Sequence, residues 1–237
     1  MQGQKIFAAI VLSFVACWIA SSPCALGVES FAERIARERQ RGVDRVDPIG
    51  QGLPFFTQRT LSPSWEQTVK AKANFVKMPP LSFRDQHDNV VSGKDLAGQT
   101  TFIAFFFSSC SGYCPFLLQN LKKVAHRLPQ DDVRFVAISV DPEIDTPERL
   151  RRYAETMKLD ARWKLLTGSK ETVNQLVRET LVSQYFQRIE TAERNFVHSE
   201  HFYVLDTQGY LRAVLNGNRL DVAEQAGIVL SKLTKVE

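Results

Sequence analysis

The chain has 237 residues, with 30 Lys and Arg against 26 Asp and Glu, a formal charge of +4 at pH 7, and 44% hydrophobic and 24% charged residues. That balance is ordinary for a globular protein, and so small and dispersed a positive excess argues against nucleic acid as a partner. Four cysteines, two of them within the first 24 residues, are too few for a disulfide framework. No internal repeat or low-complexity tract is visible.

The N-terminus reads as an export signal: Lys5, a fifteen-residue apolar run Ile6–Ala20, then Ser-Ser-Pro-Cys, with Ala25-Leu26-Gly27 offering a cleavage site before Val28. Fifteen residues are short for a bilayer span, which needs about 20, so cleavage is the first expectation and an uncleaved membrane anchor the second. Lipid attachment at Cys24 is less favoured, because Pro23 stands where a small residue is expected. In each case the domain is expected to work outside the cytoplasm. Val28–Arg45 mixes Glu and Arg at helical spacings and reads as a solvated helix or tether. Residues 46–67 are broken by Pro48, Gly50, Gly52, Pro54 and Pro63, yet Phe55, Phe56 and Trp65 give this stretch something to pack, so it reads as an ordered arm. The expected organisation is a leader at 1–27, a helix and Pro/Gly-rich arm at 28–73, and one core-forming domain at 74–237.

From residue 74 the pattern changes. PLSFRDQHDNVVSG has short apolar runs around Asp88-Asn89 and predicts a β-hairpin, and the apolar run Thr101–Phe107 predicts a buried strand. A helix over Cys114–Leu128 follows, then a second near-continuous apolar run in DDVRFVAISVD. Thr146 as N-cap and Pro147 at the first helical position start a helix reaching about Lys158. WKLLTG supplies a short strand, Ser169–Thr180 a helix, and EHFYVLDTQGYLRAVLNG two strands joined at Gln208-Gly209, before a last helix from about Leu220 to Lys235. Strand alternating with helix implies parallel pairing. The class is α/β: a thioredoxin-like fold with a central mixed sheet flanked by helices, preceded by the hairpin and an N-terminal extension.

Cys110 and Cys114 sit where the first long strand feeds a helix, with Pro115 directly after them. Unpaired amides and the dipole at a helix start favour the thiolate, which is both nucleophile and soft metal ligand. Three intervening residues put the sulfurs one helical turn apart if the segment is helical, and closer if Pro115 holds the loop ahead of the helix; both arrangements let two thiolates grip one ion. Two small buried hydrophobes are the bland alternative, and a structural disulfide across so short a loop would add little stability. A third ligand would come from four histidines. His87 in a turn and His126 on a polar helix face read as surface residues. His198 and His201 are three apart and point to opposite faces of an extended chain. His201 shares its face with Tyr203 and Leu205 and reads as packed, leaving His198 as the better ligand candidate. Two thiolates and a neutral imidazole suit Cu(I) with a net charge of minus one and Cu(II) with none; zinc accepts the same set. Glu200 lies near, with no role as a base assigned.

Three blocks together resemble the Sco/SenC family of copper-binding, thioredoxin-fold proteins: FFFSSCSGYCP with its Cys-x-x-x-Cys-Pro, AISVDPEIDTPERLRRYA, and HSEHFYVLDTQG with its His eleven residues before a turn Gly. The similarity covers roughly Lys72 to Leu233. It implies copper held by Cys110, Cys114 and His198, and a metallochaperone that delivers copper to, or reduces the cysteines of, the dinuclear copper centre of cytochrome c oxidase. The implied partner is that oxidase's copper subunit or another copper or thiol client, met in the periplasm or from a membrane anchor facing it. Asp141 and Asp145 would be supporting residues; as strand end and helix start they read equally well as structural. Ser111-Gly112 stand where many members carry Pro-Asp, and Val197 where many carry Asp before the His, which removes a partner for the imidazole.

The main rival is a thiol–disulfide oxidoreductase, in which Cys110 and Cys114 cycle between dithiol and disulfide. Against it, thioredoxins have two residues between their cysteines and a proline facing them, whereas the spacing here is three and Pro147 is the chain's last proline. Phe107, three residues before Cys110, replaces the Thr of a peroxiredoxin. A redox sensor that uses the same pair without turnover is the third class.

Overall fold

The computed structural model describes residues 52–58, 62–66, 68–128, 133–179, 187–190 and 195–234, with the side chains of 177–179, 187–190 and 195–198 excepted. The expected leader and charged helix lie outside the described residues, among which no helix is long and apolar enough to cross a membrane.

In the arm, β1 (Phe55–Phe56) pairs antiparallel with β2 (Pro63–Ser64), and Phe55 stacks on Phe75 with ring centroids 4.7 Å apart. A single-turn helix, α1 (Val69–Lys72), starts at Thr68, whose hydroxyl accepts from the Ala71 amide. The hairpin expected around Asp88-Asn89 is β3 (Ser82–Arg84) and β4 (Val90–Ser92). Its turn places Asp88 at φ 64°, the left-handed region that Asp tolerates better than most residues.

The central run then begins with β5 (Thr100–Phe106), buried at every position, followed by α2 (Tyr113–Arg127) and β6 (Val133–Ser139). Next come α3 (Pro147–Thr156), β7 (Trp163–Leu166) and α4 (Lys170–Glu179). β8 (Gln187–Glu190) and β9 (Asn195–His198) form a separate antiparallel hairpin, and β10 (His201–Leu205), β11 (Leu211–Asn216) and α5 (Val222–Leu233) close the chain. The sheet order is β11-β10-β5-β6-β7, with β5, β6 and β7 parallel and β10 and β11 antiparallel to their neighbours.

Covering both faces of this sheet explains why its strands read as continuous apolar runs. On one face Phe102, Ala104 and Phe106 pack with Leu117, Leu118 and Leu121 of α2, Leu150 of α3 and Ala226 and Val229 of α5. Ile103 and Phe105 point the other way, into a second cluster with Phe83, Val91, Val173, Leu176 and Tyr203. The arm is fastened by Arg212 of β11, whose buried guanidinium donates to the carbonyls of Leu53 and Pro54 at 2.8 and 3.1 Å and lies 4.0 Å over the Phe55 ring. Asp206, 3.1 Å away, balances the charge.

Helix α2 begins at Tyr113, one residue before the start expected from sequence, and the final helix is shorter than expected. The β8–β9 hairpin is the larger difference, for residues 187–198 carried no assigned element. Four-residue strands such as Gln-Arg-Ile-Glu and Asn-Phe-Val-His offer too short and too polar an alternation to stand out. His198 accordingly ends a strand of its own, paired with Gln187, rather than standing free ahead of β10.

Candidate metal and thiol centre

β5 carries the chain into a short loop that turns onto α2, and the Cys110 amide donates back to the Phe107 carbonyl at 3.2 Å. Gly112 occupies the N-cap position of α2 and has no side chain to accept from the first amides. Sulfur takes that part: the Cys114 N–H donates to Cys110 Sγ at 3.3 Å. Both thiols are free of disulfide bonds. The pair is asymmetric, for Cys110 is partly exposed whereas Cys114 lies in the core with Phe106, Leu117 and Leu118.

Their acidities diverge accordingly. Burial works to raise the Cys110 pKa, but backbone N–H groups of Cys114, Gly112 and Tyr113, together with the Cys114 thiol, outweigh it and hold Cys110 below the ordinary thiol value. Burial pushes Cys114 strongly upward; a backbone hydrogen bond from Phe107 opposes it, while Cys110 and Asp145 add to the rise. The first proton to leave therefore comes from Cys110, as expected where helix-start amides face a sulfur.

Asp145 is fully buried and clamps the loop. It accepts from the Ser108 amide at 3.0 Å, from the Ser108 hydroxyl, and from the Ser139 hydroxyl at 2.6 Å. Arg149 Nε reaches Ser108 Oγ at 2.6 Å and lies 3.6 Å from the Asp145 carboxylate. The helix cap itself is Thr146, accepting from the Arg149 amide at 3.3 Å. So Asp145 is tied to the cysteine loop, and Asp141 behaves as a strand end, its carbonyl accepting from the amides of Ile144 and Asp145. Tyr153, its ring tilted 40° to that of Phe106 with centroids 5.4 Å apart, has a buried hydroxyl without a hydrogen-bond partner among the described residues. Its pKa is raised by burial first and then by Cys114, Cys110 and Asp145.

A second chain of bonds starts inside the Cys-x-x-x-Cys loop. Tyr113 Oη donates to Asn218 Oδ1 at 2.6 Å, and Asn218 Nδ2 donates to Glu200 Oε2 at 2.9 Å. The turn bearing Asn218 is pressed onto α2: Asn120 Nδ2 donates to the Gly217 carbonyl at 2.8 Å, and a Cβ on Gly217 would stand 2.4 Å from Leu117 Cδ1. Glu200 is buried, and its carbonyl accepts from the Gly217 amide at 2.8 Å.

Cys110 and Cys114 are thus together, with Asp145 beside them. The side chain of His198 lies outside the described residues; its backbone ends β9, two residues before Glu200. His87 and His126 are exposed, as the sequence suggested. His201 is half-buried on the face it shares with the buried Tyr203 and Leu205, and its amide donates to Ser199 Oγ at 3.3 Å. Among the described residues no three His, Cys, Asp or Glu side chains converge as a metal cage. Sequence reasoning gave no part to Ser108, Ser139, Arg149, Tyr113, Tyr153 or Asn218. Nothing local marks them, since the Tyr113–Asn218 bond spans 105 residues and the Ser108–Asp145 bonds 37.

Sheet order, flanking helices and a dithiol at the strand-to-helix corner define a thioredoxin-like protein with a cysteine pair at the helix start. A model of the SCO1/SenC family matches residues 69–234, and the chain belongs to that family. It is 28% identical over 156 residues to the SCO1 protein homolog of Bacillus subtilis, covering 64% of this chain and 79% of the relative. Among solved structures, ScoI of Bradyrhizobium japonicum with copper bound is 26% identical with a TM-score of 0.56, spanning 66% of this chain and 99% of that one. A SCO1/SenC family lipoprotein from Bacillus anthracis is 25% identical with a TM-score of 0.60, spanning 68% and 96%.

Proposed function

We propose that this chain is a copper carrier of the extracytoplasmic space, binding one Cu(I) ion through Cys110, Cys114 and His198 and passing it to a client of the cytochrome c oxidase copper-subunit type. The observation that carries the reading is the corner itself: a partly exposed, acid-shifted Cys110 and a buried Cys114 one turn away at the start of α2. Soft thiolates select Cu(I), and helix-start amides offset the negative charge of the complex. Asp145, which is bonded to the cysteine loop, accepts from Ser108 and Ser139 and so serves to hold that loop. Copper bound in the related ScoI supports the choice of ion, and the lipoprotein relative supports a site of action at the outer face of a membrane. When bound, copper supplies the one-electron and ligand-exchange chemistry; the chain's residues hold, orient and shield it.

Anaerobic titration of the reduced protein against a competing Cu(I) chelator tests the proposal. One tightly held ion per chain is expected, lost on oxidation to the disulfide and in Cys110→Ser or Cys114→Ser, and held more loosely in His198→Ala. A folded dithiol that binds no Cu(I) contradicts it.

The divergence of the two thiol acidities favours a second reading, thiol–disulfide exchange with Cys110 as attacking sulfur and Cys114 as resolving sulfur. Turnover of a disulfide-bonded peptide by protein that binds no copper would select it.

A further inference from the structure

We propose that Tyr113, Asn218 and Glu200 form a strut that sets the distance between the dithiol loop and the His198 segment, making them positioning residues for the copper site; this rests on the copper reading above. The strut begins at the residue preceding Cys114 and ends at a buried carboxylate two residues beyond His198. Each link is short: 2.6 Å from the phenol to the amide oxygen, and 2.9 Å from the amide nitrogen to Glu200. Asn218 is suited to the middle position, because a carboxamide accepts with one end and donates with the other. Its own place is fixed independently by its amide, which donates to Asn216 Oδ1 at 2.9 Å, and by the close seat of Gly217 on α2.

Geometry gives this strut a function that burial alone would not require. His198 closes β9, whose only described strand partner is β8, and Ser199 and Glu200 are the entire link to β10. The five-stranded sheet therefore holds the chain from His201 onward, whereas the cysteines belong to the other side of the corner, Cys110 in the loop after β5 and Cys114 in the first turn of α2. Glu200 lies between these two, and its side chain is the tie that runs back to the cysteine loop through Asn218 and Tyr113. A ligand one turn off target forfeits most of its contribution, so a metal site built from distant segments depends on such outer partners.

The test is a double-mutant cycle read by Cu(I) chelator competition on the full chain, with thermal unfolding of the copper-free protein as a fold control. Tyr113→Phe removes one hydroxyl and keeps the ring that faces Phe116 at 6.5 Å. It is expected to weaken Cu(I) binding about 10-fold, the equivalent of one lost hydrogen bond, with the unfolding temperature little changed. In the His198→Ala background the same substitution is expected to change affinity less than 2-fold, because a strut that works through the histidine has nothing left to position. Glu200→Ala should reproduce the Tyr113→Phe loss, and Glu200→Gln, which keeps an acceptor oxygen for Asn218, should restore most of it. Equal losses with and without His198, or no loss at all, would overturn the strut while leaving the copper site standing. Wild-type protein that binds no Cu(I) would overturn the copper reading and the strut with it; wild-type binding that His198→Ala leaves intact would remove the strut's object.

Discussion

Two buried aspartates do opposite kinds of work in this molecule. Asp85 closes the β3–β4 turn on itself: it accepts from the amides of His87 and Asn89 at 2.9 Å each, from Asn89 Nδ2 at 3.2 Å, and from Lys164 at 3.3 Å. All but the last come from within four residues. Asp145 takes its bonds from Ser108 in the cysteine loop and Ser139 at the end of β6, with Arg149 alongside, so that one carboxylate fixes three segments to one another. The lesson is that a locally satisfied carboxylate stabilises a turn, whereas one satisfied from afar sets the shape of a site.

The sharpest way to break that contrast is to remove each carboxylate. Asp145→Ala leaves the Ser108 amide and two serine hydroxyls without their acceptor, and a loss of about 3 kcal/mol is expected in urea unfolding. Faster alkylation of Cys114 in the folded protein should accompany it, because the loop over the core loosens. Asp85→Ala is expected to lose about 1–2 kcal/mol, with cysteine reactivity unchanged. If both variants expose Cys114 equally, the division between turn-builder and site-builder is wrong.

Smaller effects sharpen the same contrast. Thr146→Ala should lose about 1 kcal/mol by removing the cap of α3 without touching the carboxylate beside it. Asp85→Asn should flatten the acid limb of the stability curve. Burial works to raise the Asp85 pKa, but the amides of Asn89 and His87, with the Asn89 and Lys164 side chains, bring it below the usual carboxylate range. A depressed folded pKa means that this stabilisation is present above the unfolded value, about 3.9, and is lost as pH falls through the folded value. The wild-type curve should therefore fall below about pH 4 more steeply than that of the variant. At the cysteine corner the pH dependence concerns reactivity. Cys110 should be alkylated by iodoacetamide with a midpoint below the ordinary thiol value of about 8.5, and Cys114 should stay unmodified in the same window.

Legibility in the sequence follows the same division. The Asp-Gln-His-Asp-Asn turn, the Thr146-Pro147 helix start and the all-apolar β5 declare themselves, because their determinants lie within one element. The same holds for the cysteine pair, which is visible because a strand pattern stops and a helix pattern starts on either side of it. What is not visible is work done across the chain. Gln86 pairs its carboxamide with the Trp163 carbonyl and the Leu165 amide, closing the open edge of β7 from 77 and 79 residues away, and no periodicity foretells it. Asp145 could be read from its neighbours only as a helix-start residue, since its partners at Ser108 and Ser139 are brought to it by the fold. His198 was singled out by chemistry and strand phase, while the hairpin whose second strand it ends was hidden by strands too short and polar to register.

X-ray absorption at the copper edge, on protein loaded anaerobically with one equivalent of Cu(I), tests the central claim most directly. Two sulfur ligands and one nitrogen ligand per copper, with the nitrogen lost in His198→Ala and a sulfur lost in Cys110→Ser, is the result expected. A copper shell without the two sulfurs, or with its nitrogen untouched by His198→Ala, would contradict the assignment.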